Sequence, residues 1–108
     1  AYRLEADGKS MVYTGDTKPA KSIEKLAKDA NVLIHDSTFL SSNDAEKYNH
    51  STPEQAAKVA KNANVGKLVL THLSQKHRNP TDFIEQARIN FDNVILAEDL
   101  MTIDVGDM

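Results

Sequence analysis

Apolar and polar positions alternate at the start of the chain. Tyr2 to Ala6 alternates, Asp7-Gly8-Lys9 interrupts, and Ser10 to Thr14 follows. Two strand-like runs around an Asp-Gly step predict a β-hairpin. The period then changes. Ile23, Leu26, Ala27 and Ala30 recur with the i, i+3, i+4, i+7 spacing of one buried helical face, and Pro19 fits the first turn of that helix. Asn31 to His35 is a short continuous apolar run, read as a buried strand. Residues 36 to 50 are polar without a clear period and read as a loop. Thr52-Pro53-Glu54-Gln55 is a helix start, with a hydroxyl N-cap, proline at the first position and glutamine placed for a capping box. Ala56, Val59, Ala60 and Ala63 form the close-packing face of that helix. Lys67 to Thr71 is the next strand, and residues 72 to 79 the next loop. Asn79 caps a third helix that opens on Pro80 and turns Phe83, Ile84, Ala87 and Phe91 inward. Asn93 to Ala97 and Met101 to Val105 are two closing strands. The order ββ-α-β-α-β-α-ββ predicts right-handed crossovers and an α/β fold with a mixed, mostly parallel sheet.

Composition narrows the chemistry. The chain has 108 residues, one domain's length, and a net charge of -3, which excludes a globally basic nucleic-acid binder. Lysines 9, 18, 21, 25 and 28 still concentrate positive charge near the N-terminus. Lys18, Lys21, Lys25 and Lys28 recur at 3-4-3 spacing on one helical stripe, for which a solvated face is the default reading. With no cysteine, disulfide frameworks and thiolate metal sites are excluded. Any metal would be held by histidine and carboxylate. No apolar run approaches the roughly 18 residues of a membrane span, and no signal peptide is evident, so a soluble, cytoplasmic protein without membrane association is expected. The chain opens at Ala1-Tyr2-Arg3 without an initiator methionine, as if already inside a strand, and is expected to be part of something longer.

In a parallel sheet, ligands bind beyond the carboxyl ends of the strands. Asp16 follows the second strand, His35 and Asp36 end the third, and His72 follows the fourth. His50 precedes a helix whose N-terminus returns to the same edge. The pattern alone therefore sets three histidines and two aspartates along one rim. Histidine with carboxylate suits zinc or manganese in a hydrolytic site. Such a metal lowers the pKa of bound water and clamps a phosphoryl oxygen. The blander readings are a turn carboxylate for Asp16, a satisfied strand-end residue for His72, a turn cap for Asp36, and a surface residue for His77. For His35 the favoured reading is a hydrogen-bonded core histidine.

Tyr13-Thr14-Gly15-Asp16-Thr17-Lys18-Pro19 resembles the Gly-Asp-Thr motif of the metallo-β-lactamase superfamily. His35-Asp36-Ser37-Thr38, His50-Ser51-Thr52 and Thr71-His72-Leu73-Ser74 are similar, in order, to the His-Glu-Ala-Thr, His-Ser-Thr and last metal-ligand motifs of the ribonuclease Z family, the tRNA 3′-processing endonucleases. Val94 to Met101 is similar to that family's C-terminal strand pair. The resemblance implies that residues 1–108 are the C-terminal half of an αβ/βα sandwich. The N-terminal half, with its His-x-His-x-Asp-His motif, is absent from this sequence. It implies that Asp16 bridges two zinc ions, or manganese, that His72 ligates the second, and that His50 is the general acid, oriented by Asp36 where the family more often has Glu. Lys18, Ser74 and Lys76 are the implied substrate contacts. Lys18 replaces a frequent Arg, and Lys76-His77 stands where an Arg-Tyr pair is usual. The implied partners are tRNA precursors, the N-terminal half and a second copy in a homodimer. This chain alone is expected to be inactive and to self-associate through a sheet face exposing some alternating subset of Val32, Ile34, Leu68 and Leu70. Competing readings are another hydrolase of the superfamily, arylsulfatase-like or cyclic-nucleotide phosphodiesterase-like, and a non-catalytic assembly module.

Overall fold

The computed structural model describes residues 1–71 and 79–97. The expected strand Met101–Val105 lies outside the described residues. Strands β1 (Tyr2–Ala6) and β2 (Lys9–Tyr13) form the hairpin. Ala6 pairs with Lys9, and Asp7 and Gly8 both take positive φ, at 52° and 77°. That backbone twist matches the twist of the flanking strands, which is why Asp-Gly suits the two-residue connection.

Helix α1 (Lys21–Leu26), strand β3 (Val32–Asp36), helices α2 (Ser42–Lys47) and α3 (Pro53–Ala63), strand β4 (Lys67–Thr71), helix α4 (Thr81–Ala87) and strand β5 (Val94–Leu96) follow. The sheet order is β1-β2-β3-β4-β5, antiparallel only at the first pair and parallel across the other three. Each parallel crossover steps one strand in the same direction, so right-handed connections carry the helices to one face.

Strand alternation sorts the side chains. Val12, Leu33, Leu68, Leu70 and Val94 point to the helices and pack on Ile23, Ala27, Ala56, Ala60, Phe83 and Ala87 in one core. On the opposite face Met11, Val32, Lys67 and, one step along, Tyr13, Ile34 and Val69 lie side by side. Of the residues expected on the exposed sheet face, Leu68 and Leu70 belong to the helix-side core instead, and Val32 and Ile34 to the other face.

Among the described residues α3 is the longest helix, and it carries the strongest start signal. Thr52 accepts from the Gln55 N–H at 3.1 Å, and the Gln55 side chain accepts from the Thr52 N–H at 2.9 Å. Asn64 closes the helix in the left-handed region, with φ 58°. Other boundaries differ from the periodicity. The first helix is shorter, beginning at Lys21 with Ala20 as N-cap, and Pro19 precedes it. Ala27 and Ala30 keep their buried spacing through a turn instead. Pro80 takes the N-cap of α4, and Asn79 still accepts from the Thr81 N–H at 3.2 Å. The segment read as loop contains α2, whose Ala45 is its buried residue. Among the described residues no helix is long and apolar enough to cross a membrane.

Candidate functional site

Three loops meet beyond the carboxyl ends of β2 and β3. The Thr14 N–H donates to Ile34 O at 3.0 Å, carrying the ladder past β2. Gly15 then turns with φ +68°, a value that favours glycine, and Asp16 is left exposed at the rim. Asp36 ends β3, and its side chain is wholly buried.

A buried carboxylate needs partners, and Asp36 has four. Oδ1 accepts from the Thr38 N–H at 3.0 Å and the Thr38 hydroxyl at 2.6 Å. Oδ2 accepts from the Thr17 N–H at 2.9 Å and from His50 Nδ1 at 2.7 Å. All four partners are donors, so the ionised carboxylate is the form that fits. The bond to Thr38 N–H two residues on is a local Asx-type closure. His50 Nδ1 also lies 3.1 Å from Thr38 Oγ1. That hydroxyl spends its hydrogen on Asp36, so its lone pairs face the imidazole. Both neighbours of Nδ1 are therefore acceptors, which fixes the proton there and leaves Nε2 for another partner.

His50 is held from its own side too. Its N–H donates to Ala45 O at 2.8 Å, tying it to α2. Phe39 meets its ring edge-on at 5.8 Å. Ser51 donates to Thr17 O at 2.6 Å, joining this loop to the one that bears Asp16.

Asp16, Asp36 and His50 each offer a ligand atom within 4.8 Å of the others, a group that could hold a metal ion. The three are not equivalent for that purpose. Asp36 has both oxygens committed to four donors, and His50 has committed Nδ1. Asp16 is exposed at the rim, and His50 retains Nε2 as its second ring nitrogen. Two ligands are fewer than the three protein ligands of a catalytic zinc, so a metal here would draw on ligands beyond these residues.

The rim read from the pattern is thus assembled from Asp16, Asp36 and His50. His35 is not on it. Adjacent strand residues point to opposite faces, and His35 is buried on the helix side, its Nδ1 2.8 Å from Asp36 O. Burial pushes its pKa below 6.5, against smaller opposing effects of the Asp36 carbonyl and charge. His72, Ser74, Lys76 and His77 lie outside the described residues. Lys18 is exposed two residues after Asp16, and Lys21, Lys25 and Lys28 are exposed as well. Glu24 pairs with Lys21 at 3.4 Å, one turn back, rather than with Lys28. The sequence pattern does not single out Thr17, Thr38 and Ser51, although all three lie inside the quoted motifs. A hydroxyl two residues after an aspartate was the available signal for Thr38.

The sequence profile of the β-lactamase superfamily domain matches residues 1–73. Ribonuclease Z of Archaeoglobus fulgidus is 42% identical over 101 residues, 91% of this chain and 33% of that protein. Ribonuclease Z of Saccharolobus islandicus is 45% identical over 102 residues, covering 94% of this chain and 35% of that protein. The chain therefore spans about a third of the length of the curated relatives it matches. Among solved structures, the metallo-β-lactamase fold protein YhfI from Bacillus subtilis superposes with a TM-score of 0.82 at 27% identity, over 89% of this chain and 40% of its own. The short form of human tRNase Z gives 0.75 at 31% identity, over 95% of this chain and 36% of its own. The profile covers the hairpin, the Asp16 turn, the Asp36–His50 pair and the whole of α3, and on that footing the chain belongs to the β-lactamase superfamily.

Proposed function

We propose that the protein carrying this chain is a metal-dependent endoribonuclease that removes 3′ trailers from tRNA precursors, with residues 1–108 forming the C-terminal half of its fold. The observation that carries the reading is the Asp36–His50 pair, 2.7 Å apart, set beside the exposed carboxylate of Asp16. The similarity to ribonuclease Z sequences supplies the substrate class.

Asp16 and His72 would hold the metal, taken to be zinc as two ions with ligands shared from the N-terminal half. When bound, such cations lower the pKa of water and neutralise charge on a phosphoryl oxygen. His50 supplies the proton. As water attacks phosphorus and the bond to the 3′-oxygen breaks, Nε2 protonates that departing oxygen. Asp36 acts through His50, holding Nδ1–H and stabilising the imidazolium that donates. Lys18, Ser74 and Lys76 would contact the RNA backbone. The assembly is a cytoplasmic homodimer, and this chain alone is inactive because it holds too few metal ligands.

His50→Ala in the full protein tests the reading. Turnover on precursor tRNA should fall roughly 10²–10⁴-fold, the usual worth of a general acid, with metal content by mass spectrometry unchanged. Loss of metal along with activity would make His50 a ligand and refute its role as acid. A second reading is another hydrolase of the superfamily, since the fold is shared with the metallo-β-lactamase fold protein YhfI. Rapid cleavage of small phosphodiesters with none of precursor tRNA would select it.

A further inference from the structure

Outside the hydrogen-bonded pair, the most distinctive feature near His50 is aromatic. Phe39 meets His50 edge-on at 5.8 Å and stacks on Tyr48 with ring centroids 5.5 Å apart and planes 28° from parallel. Tyr48 is 52% exposed, although tyrosine ordinarily buries much of its ring. A continuous aromatic wall therefore runs from the imidazole out to solvent in two steps. It is anchored at several points. The Tyr48 N–H donates to Asp44 O at 3.1 Å, and the buried Ala45 roots α2 in the fold.

We propose that the exposed ring of Tyr48, backed by Phe39, is a stacking platform for a nucleobase flanking the scissile phosphate. The inference rests on the RNA phosphodiester activity proposed above. Phe39 and Tyr48 already present a flat, pre-ordered surface, and base stacking on such a surface is tolerant of sequence. Asp44 and Glu46 on α2 are exposed and repel phosphate, so the contact at this wall is with a base face rather than the backbone. Lys47 competes for the same ring, with Nζ 5.3 Å from its centroid. An exposed cation–π contact is worth roughly 2- to 5-fold in affinity, whereas base–aromatic stacking is worth roughly 5- to 150-fold. The base therefore displaces the lysine from the ring.

The test uses the full protein and single-stranded RNA carrying 2-aminopurine, whose fluorescence is quenched on stacking. Quenching should appear on binding, weaken at least 5-fold in affinity with Tyr48→Leu, and return with Tyr48→Phe. In cleavage by the full protein, Tyr48→Leu should raise KM for RNA by a comparable factor. An abasic nucleotide at the stacked position should abolish the difference between variant and wild type. Equal binding by Tyr48→Leu, or an undiminished loss on the abasic RNA, overturns the platform. Failure of the wild type to cleave any RNA would instead remove the proposed activity, and the quenching arm would still decide whether Tyr48 stacks a base.

Discussion

Replacing Asp36 by Asn changes one atom and removes the charge from the centre of the site. The two backbone donors sit on different oxygens, Thr17 N–H on Oδ2 and Thr38 N–H on Oδ1. An asparagine keeps only one oxygen. The Thr38 hydroxyl can rotate and His50 can change tautomer to meet the new NH2, but a backbone N–H cannot. Whichever way the amide turns, one buried N–H faces another donor. Leaving a buried donor unmade costs about 1–3 kcal/mol. The bonds that survive lose their charge assistance, which is worth about 1 kcal/mol each. Relief from burying an ion offsets part of this. The net loss expected is about 2–3 kcal/mol, a sizeable fraction of the roughly 5–15 kcal/mol of a domain this size. Urea unfolding of the chain and its Asp36→Asn variant, followed by circular dichroism, measures it. A change below about 0.5 kcal/mol, the range of ordinary surface substitutions, would refute the claim that the four-donor clamp holds these loops together.

Thr52→Ala removes the hydroxyl that accepts from Gln55 N–H at 3.1 Å and should cost about 1 kcal/mol in the same unfolding assay. His35 bears on acid sensitivity: burial pushes its folded pKa below 6.5, so the unfolded chain takes up a proton that the folded chain refuses. Its contribution is full above about pH 6.5 and drains as pH falls through that value toward the lower folded pKa. His35→Gln should flatten the stability profile there, and an unchanged slope would count against the assignment.

Two locally encoded features are legible in the sequence. The Asp-Gly hairpin and the Thr52–Gln55 capping box each need only a few consecutive residues, and both form where the pattern put them. The order of crossovers followed from alternating periods. Helix α2 is not legible in the sequence, for the opposite reason. Ser42 to Lys47 contains one apolar residue, Ala45, so it has no periodicity to detect, and tertiary packing decides its shape. The first helix misled in the other direction, because Ala27 and Ala30 continue the buried spacing after the backbone has left the helix. His35 shows what a motif hides. It adjoins Asp36 in sequence, but pleating sends neighbours to opposite faces, so only one of the two can reach the rim.

Asp36 stands where the resemblance to ribonuclease Z implies Glu, and the geometry bears directly on that difference. A carboxylate one methylene shorter has less reach toward His50. It also sits closer to its own backbone, near enough to accept from the Thr38 N–H two residues on and from the Thr38 hydroxyl. Those bonds fix its rotation and aim Oδ2 outward. The remaining distance is closed from the other side. Ser51 fastens the His50 loop to Thr17 O, and Thr17 N–H is itself bound to Asp36, so the three loops are cross-linked in a ring. The His50–Asp36 distance of 2.7 Å is thus set by loop placement as much as by side-chain length. Lengthening the residue with Asp36→Glu would then not improve the pair. The extra methylene enters a wholly buried position, where overpacking costs about 1–3 kcal/mol, and it carries the carboxylate away from the Thr38 N–H. Reduced stability in Asp36→Glu, partly restored when Thr38 is also changed to Ala to make room, is the expected pattern. An Asp36→Glu variant at least as stable as the parent would mean that the Thr38 bonds contribute nothing to the placement of His50.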